Sequence, residues 1–216
     1  MNSRADGIVC NDCWAKAKIF SGFETFCLKC GAFLSDTEPV FDTFCGRCDE
    51  HFYDRARAVG VYRGAMAASI LHIKRTPHLS SRLARWLEIA CRDSFDEPAD
   101  VIIPVPLSRR RLKERGFNQA AVIGRHLSRR MSIPMDEHSL ARKVHTAVHR
   151  AGMDMKAREA SVKNAFEVTR PKLVRDKNIL LVDDILTSGS TASYCAKALK
   201  KSGAARVNVL TLGRAV

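Results

Sequence analysis

Acidic side chains, aromatic side chains and long apolar runs are all scarce in this 216-residue chain. Asp and Glu number 23 against 36 Lys and Arg, a formal charge of +13. A field of that sign favours anionic partners such as nucleotides, phosphosugars, nucleic acid or anionic lipid, and does not choose among them. Aromatics are only 7% of residues, which weakens any reading built on stacked bases. No apolar stretch approaches the roughly 20 residues that a membrane-crossing helix needs. The opening Met1-Asn-Ser-Arg-Ala-Asp-Gly7 has no apolar h-region, so no secretory leader and no membrane insertion are expected, and the cytoplasm is the expected compartment. Low-complexity tracts and long linkers are missing too. Hydrophobic residues nevertheless make up 46%, enough for a real core.

What is abundant is cysteine, eight in all. In a reducing compartment metal ligation is a better account of them than disulfides. Six lie between residues 10 and 48, in three pairs: Cys10-Asn-Asp-Cys13, Cys27-Leu-Lys-Cys30 and Cys45-Gly-Arg-Cys48. This crowding sets a boundary: residues 1–52 read as a cysteine-rich module and 55–216 as the main domain. The module is too short to bury a useful core alone and needs a staple. A CxxC turn brings two thiolates to one side of a knuckle, and two knuckles complete a tetrahedral zinc site. Fourteen residues separate Cys30 from Cys45, so Cys27, Cys30, Cys45 and Cys48 are expected to share a structural zinc. Gly31 and Gly46 suit the tight turns. Cys10 and Cys13 are further metal candidates without a partner pair, and His51 reads as a surface residue or a spare ligand. Phe20, Phe23, Phe26, Phe33, Phe41 and Phe44 are available to stack on bases, but most are expected to fill the module's small core. Cys91 and Cys195 read as structural.

Beyond residue 55 the pattern alternates. Arg57–Tyr62, Asp100–Val105, Asn178–Val182 and Val207–Leu212 read as strands, and Ala65–Lys74 and Leu79–Cys91 as helices. Asn118 is placed to cap a helix running to about Met131. Ala192, Cys195, Ala196 and Leu199 form one apolar helix face that stops at Gly203, a natural C′ glycine. Strands alternating with helices predict an α/β fold with a mainly parallel sheet flanked by helices. Ligands on such sheets bind at the C-terminal strand ends. There the chain reads Ile179-Leu-Leu-Val-Asp183-Asp184-Ile-Leu-Thr187-Ser188-Gly189-Ser190-Thr191. The two carboxylates can accept hydrogen bonds from ribose hydroxyls. Thr187, Ser188, Gly189, Ser190 and Thr191 can wrap a phosphate at a helix N-terminus. The ligand class this suggests is a phosphorylated sugar.

Those thirteen residues closely resemble the phosphoribosyl pyrophosphate (PRPP) signature of type I phosphoribosyltransferases. Ile103-Pro-Val-Pro-Leu107, Arg115-Gly-Phe-Asn-Gln119, Ile73-Lys74, Thr146 and the stretch 158–166 resemble the ComF family, as do the cysteine knuckles. The resemblance implies a phosphoribosyltransferase-like fold with an N-terminal zinc ribbon, and a link to natural competence and incoming single-stranded DNA. Family members often carry four cysteine pairs. The first is missing here, which leaves Cys10 and Cys13 unpartnered, and His149 stands where Gln is expected. In the implied reaction Asp183 and Asp184 orient the ribose and Mg²⁺ bridges the pyrophosphate to its hydroxyls. One or two of the cations on a mobile basic loop (Arg109, Lys113 and Arg115, with Arg110 and Arg111) are expected to contact the pyrophosphate, the alternative for each being a solvated basic face, and Lys74 is a weaker candidate for that job. No residue stands out as the base for an incoming nucleophile; His145 and His149 are available, with a surface or structural role as the alternative for each. Three functions remain open at this point: phosphoribosyl transfer, single-stranded DNA binding within the competence machinery, and PRPP-sensing control of nucleic-acid binding.

Overall fold

The computed structural model describes residues 7–143, positions 22 and 47 excepted, and residues 165–215. His145, Thr146, His149 and residues 158–164 lie outside that set. Four strands form the central sheet: β3 (Arg55–Val61), β4 (Val101–Pro104), β7 (Asn178–Leu186) and β8 (Arg206–Arg214). Their order is β3-β8-β7-β4 and every pairing is parallel. This is the expected parallel α/β sheet, and its central strands β7 and β8 carry apolar residues on both faces because both are covered.

The side chains of β7 and β8 show the two faces directly. Ile179, Leu181, Val207 and Val209 pack against α6 (Ser190–Lys201) through Ala192, Cys195, Ala196 and Leu199. Leu180, Val182, Leu210 and Leu212 pack on the other side against α2 (Gly64–Ile73), α3 (Ser81–Asp93) and α5 (Gln119–Met131), through Met66, Ile70, Leu87, Ile123 and Leu127. Alternate residues of a strand point to opposite faces, so four consecutive apolar positions serve two cores. Cys195 and Cys91 are buried in these cores, as their spacing suggested.

The helix boundaries follow local chemistry. The Asn118 side chain accepts from the Ala120 amide at 3.0 Å and starts α5, which ends at Met131. Gly203, at φ +93°, follows the end of α6. The basic run after β4 departs from the expected loop. Arg109–Arg115 is a short helix, α4, because Ser108 Oγ caps it by accepting from the Arg111 amide at 3.3 Å. Gly116, at φ +80°, closes it in the left-handed conformation glycine favours. A small antiparallel pair, β5 (Leu140–Arg142) and β6 (Phe166–Val168), lies over α6 and was not evident from the sequence.

The cysteine-rich segment carries α1 (Asn11–Ala15) and the antiparallel pair β1 (Thr25–Phe26) and β2 (Phe33–Ser35). It lies along the free edge of β3. The Phe20 amide donates to Val59 O at 2.9 Å and the Val61 amide to Lys18 O at 2.9 Å. The Ala56 amide reaches Lys29 O at 2.7 Å. A sheet edge left bare would expose such groups to unwanted pairing. The phenylalanines divide. Phe20, Phe26 and Phe33 pack on one another, with ring centroids 4.7 to 6.2 Å apart. Phe23, Phe41 and Phe44 stay 65%, 75% and 58% exposed, so only half of the set fills the small core. Among the described residues no helix is long and apolar enough to cross a membrane.

Candidate functional site

Strand β4 stops at Pro104, opposite Val182, while β7 continues to Leu186 beside β8. The extra length of β7 carries it past the end of β4 on the C-terminal side of the sheet. Asp183 and Asp184 therefore sit inside the strand rather than after it, because β8 keeps supplying partners: Asp183 pairs with Thr211 and Ile185 with Gly213. Being adjacent in a strand, the two carboxylates project to opposite faces.

Asp184 shares the face of Leu180 and Val182. Its Oδ2 lies 3.1 Å from Lys74 Nζ, at the end of α2, with side-chain exposures of 8% and 25%. That contact is an ion pair without hydrogen-bond geometry, and Asp184 Oδ2 is buried with no hydrogen-bond partner among the described residues. Lys74 is thus paired with a carboxylate. Asp183 shares the face of Ile179 and Leu181. Burial, then the neighbouring Asp184 charge, push its carboxyl well above the usual carboxylate range, although the Asp184 amide donates to its Oδ1 at 2.8 Å.

The loop after β7 leads into α6. Gly189 is the N-cap of that helix at φ +82°, the left-handed region. The Ser193 amide donates to its carbonyl at 2.8 Å. Ser188 Oγ and Ser190 Oγ are 3.0 Å apart and the Ser190 amide points at Ser188 Oγ. The loop thus gathers hydroxyls at the positive end of a twelve-residue helix, an arrangement suited to phosphate. Beyond β4 the Asn118 side-chain amide donates to Val105 O at 3.0 Å, fixing the Pro-rich turn that launches α4. On α4 and its closing turn, Arg109 and Lys113 face solvent. Arg110 pairs with Glu114 at 2.7 Å and Arg115 hydrogen-bonds Gln119.

One cation escaped the sequence reading. Arg142, at the end of β5, is half-buried with its guanidinium 5.3 Å from the Phe166 ring centroid. Burial first, then Arg111, lower its pKa, while Cys195 and Asp183 act in the opposite direction. Arg142 thus lies within electrostatic reach of both Asp183 and Arg111. No local motif marks Arg142. Its place opposite Phe166 in the β5–β6 pair brings it within electrostatic reach of Asp183.

The cysteine knuckles form a second centre. Cys27 Sγ lies 3.5 Å from Cys48 Sγ, Cys30 Sγ 3.6 Å from Cys45 Sγ, and Cys45 Sγ 3.7 Å from Cys48 Sγ. Four sulfurs bound ~2.3 Å from one zinc ion would be ~3.8 Å apart, so the set fits a tetrahedral ion. Burial and the neighbouring thiols hold Cys30 up at about 11. For Cys27 burial acts to raise the pKa, but the Cys30 and Cys45 amides outweigh it and bring it to about 6. A divalent cation removes the penalty of gathering four thiolates. The surroundings fit the same charge. Buried Arg214 directs Nη2 at Cys30 Sγ, 3.8 Å away. Arg57, which burial lowers to about 10, donates to Leu28 O at 3.0 Å and Ala56 O at 2.8 Å beside the thiols. Two cations next to four thiolates and one zinc ion leave the group near neutral. Gly31, at φ +63°, lets the first knuckle press on β3, since a Cβ there would meet Ala56 O at 2.3 Å. Cys10 and Cys13 are exposed on α1, outside this group, which is the one three-or-more-ligand cluster among the described residues. His51 is neither a ligand of that cluster nor a plain surface residue. Its ring lies 5.0 Å from the Tyr53 ring, beside the loop of Gly189.

Comparison with known proteins gives the same outline. The phosphoribosyl transferase domain family matches residues 69–214. The chain is 32% identical over 216 residues to Competence protein F of Haemophilus influenzae, covering 96% of this chain and 90% of that protein. It is 32% identical over 199 residues to DNA utilization protein YhgH of Escherichia coli K12, covering 88% and 85%. Competence protein ComFC of Bacillus subtilis matches at 32% over 120 residues, 53% of this chain and 44% of that protein.

Proposed function

We propose a phosphosugar-handling function from one premise: the chain belongs to the competence protein F family, and residues 69–214 are its phosphoribosyl transferase domain, of type I fold. The ligand is PRPP with Mg²⁺. The observation that carries this reading is the run of Asp183 and Asp184 in β7 leading directly into the Gly189 turn at the start of α6. Asp183 and Asp184 hold the ribose hydroxyls, and the amides and hydroxyls of Thr187 to Thr191 take the 5-phosphate. Arg142 supplies counter-charge near Asp183. Arg109, Lys113 and Arg115 stand ready on and beside α4 for the pyrophosphate, and Lys74 holds Asp184.

Mg²⁺ suits this set because its donors are hard carboxylate oxygens, with Lys74 beside Asp184 to share their charge when no ion is bound. When bound, the ion neutralises pyrophosphate charge. The reaction the constellation supports is loss of pyrophosphate from C1 of the ribose and arrival of an acceptor nucleophile. Positive charge developing on the ring is stabilised by the carboxylates. In this reading residues 1–52 are a zinc-stapled module appended to the 55–216 domain, and the protein acts in natural competence.

A DNA-binding reading runs beside it. Exposed Phe23, Phe41 and Phe44 in the cysteine-rich segment can stack on bases, and the charge of +13 attracts a backbone. One relative's name, DNA utilization protein, agrees with this. Calorimetry of the zinc-loaded chain with PRPP and Mg²⁺, followed by pyrophosphate detection with candidate acceptors, tests the first reading. Binding without turnover would leave a sensor, and no binding would refute the pocket. Single-stranded DNA affinity that ignores both salt and a Phe41→Ala, Phe44→Ala double variant would refute the second.

A further inference from the structure

The segment joining the zinc knuckle to β3 runs alongside α6 from its first turn to its last. The Phe52 amide donates to Ser193 Oγ at 3.1 Å. Lys197 Nζ sits 4.4 Å from the Phe52 ring centroid. Asp54 accepts from Lys200 Nζ at 3.0 Å and from the Val207 amide at 2.7 Å. Every residue from 52 to 54 is thereby tied to α6 or β8, apart from Tyr53, whose side chain turns inward beneath the phosphate loop.

Tyr53 is 1% exposed and shares a core with Cys27, Cys30 and Cys48. Its hydroxyl is buried and has no hydrogen-bond partner among the described residues. A Cβ on Gly189 would fall 2.9 Å from Tyr53 Oη and 2.9 Å from His51 Nε2. The absence of a side chain at 189 therefore does two things. It permits the positive φ of the turn, and it lets the Tyr53 hydroxyl and the His51 ring press directly against the loop that would hold phosphate. A buried hydroxyl without a partner is costly to the ligand-free fold. It is tolerated where a partner arrives later, as at sites prepared for a ligand.

We propose that Tyr53 is a further phosphate-site residue, whose hydroxyl donates past Gly189 to the bound 5-phosphate or to a water held by it, with the His51 ring packed alongside. The zinc knuckle delivers both residues, so metal loading and phosphate affinity are linked. Stripping the four thiolates of their ion loosens the segment that begins three residues before His51, and with it the rear wall of the loop. By linkage, phosphate must then tighten zinc by the same factor that zinc tightens phosphate. This inference rests on the phosphosugar reading above.

The test uses the full-length zinc-loaded chain and two probes, PRPP with Mg²⁺ and inorganic phosphate. Tyr53→Phe keeps the ring and removes the hydroxyl. Its affinity for both probes is expected to fall about 10-fold, the worth of one hydrogen bond to a charged group. Its ligand-free melting temperature is expected to stay equal or to rise, because the unpartnered hydroxyl is gone. A merely structural Tyr53 would not separate the two readouts. Removal of zinc by a chelator, with circular dichroism verifying that the sheet stays folded, is expected to weaken both probes, and added zinc to restore them. Wild-type affinity in Tyr53→Phe would overturn the donor role, and equal affinity of the folded chain with and without zinc would overturn the linkage. A wild-type chain that binds neither probe would bring down the phosphosugar reading itself, a distinct result from the first two.

Discussion

Asp183→Asn and Asp184→Asn, made one at a time, should push stability in opposite directions even though the residues are neighbours. Asp184 Oδ2 lies 3.1 Å from Lys74 Nζ. At an effective dielectric constant of about 20 that separation gives about 5 kcal/mol of attraction. Desolvation of a nearly buried carboxylate offsets most of it, so Asp184→Asn should cost about 1–3 kcal/mol at neutral pH. Asp183 is the reverse case. Burial, then the Asp184 charge, raise its pKa in the folded chain, so the folded state keeps a proton that the unfolded chain releases near pH 4. Between the usual carboxylate range and the raised value the native state binds more protons than the unfolded one, and stability falls as pH rises. Asparagine at 183 removes that dependence. Urea unfolding from pH 4 to pH 8 should therefore find Asp183→Asn increasingly more stable than wild type as pH rises, with the difference vanishing near pH 4. Both variants should lose PRPP affinity. If Asp183→Asn is the less stable chain at pH 8, or Asp184→Asn costs nothing, the opposite-face assignment is wrong.

Three further outcomes are expected. Gly189→Ala forces a non-glycine residue to φ +82° and brings its Cβ within 2.9 Å of His51 and Tyr53, so phosphate affinity should fall at least about tenfold, with a stability loss of roughly 1–2 kcal/mol. Calorimetry and thermal unfolding check the two separately, and unchanged affinity would remove the loop from the ligand site. Cys27→Ser should lower bound zinc, measured by plasma mass spectrometry, from about one ion per chain to none, because three sulfurs do not close a structural site; retained zinc would refute the ligand set. Arg142→Gln should weaken PRPP about tenfold without changing zinc content, and by more than Lys113→Ala does, since Lys113 faces solvent while Arg142 is half-buried near Asp183. Equal effects would return the pyrophosphate contacts to α4.

Much of this protein is written in short-range pattern. The apolar runs at 179–182 and 207–212 specify two-faced strands. The spacing of Ala192, Cys195, Ala196 and Leu199 specifies the buried stripe of α6. Asn118 and Gly203 mark helix ends, because capping needs only neighbours within a few residues. The two CxxC pairs brought together in space, and the carboxylate-glycine signature before α6, were legible for the same reason: the chemistry lies within one turn or one loop. Other features were not local. The basic run became a helix through Ser108 and Gly116, whose capping roles depend on where β4 stops. Asp183 and Asp184 were separated onto opposite faces because β8 runs on beside them and keeps β7 extended. Arg142 came within electrostatic reach of Asp183 through the β5–β6 pairing, and half of the phenylalanines stayed exposed because the small core closes with three. Tyr53 and His51 came to rest behind Gly189 because their segment is pinned to α6 and β8 by contacts across more than a hundred residues of sequence. Periodicity and caps are set by a residue's neighbours along the chain, but which side chains share a pocket is decided by how strands pair and which surfaces must be buried, and that only the assembled tertiary structure settles.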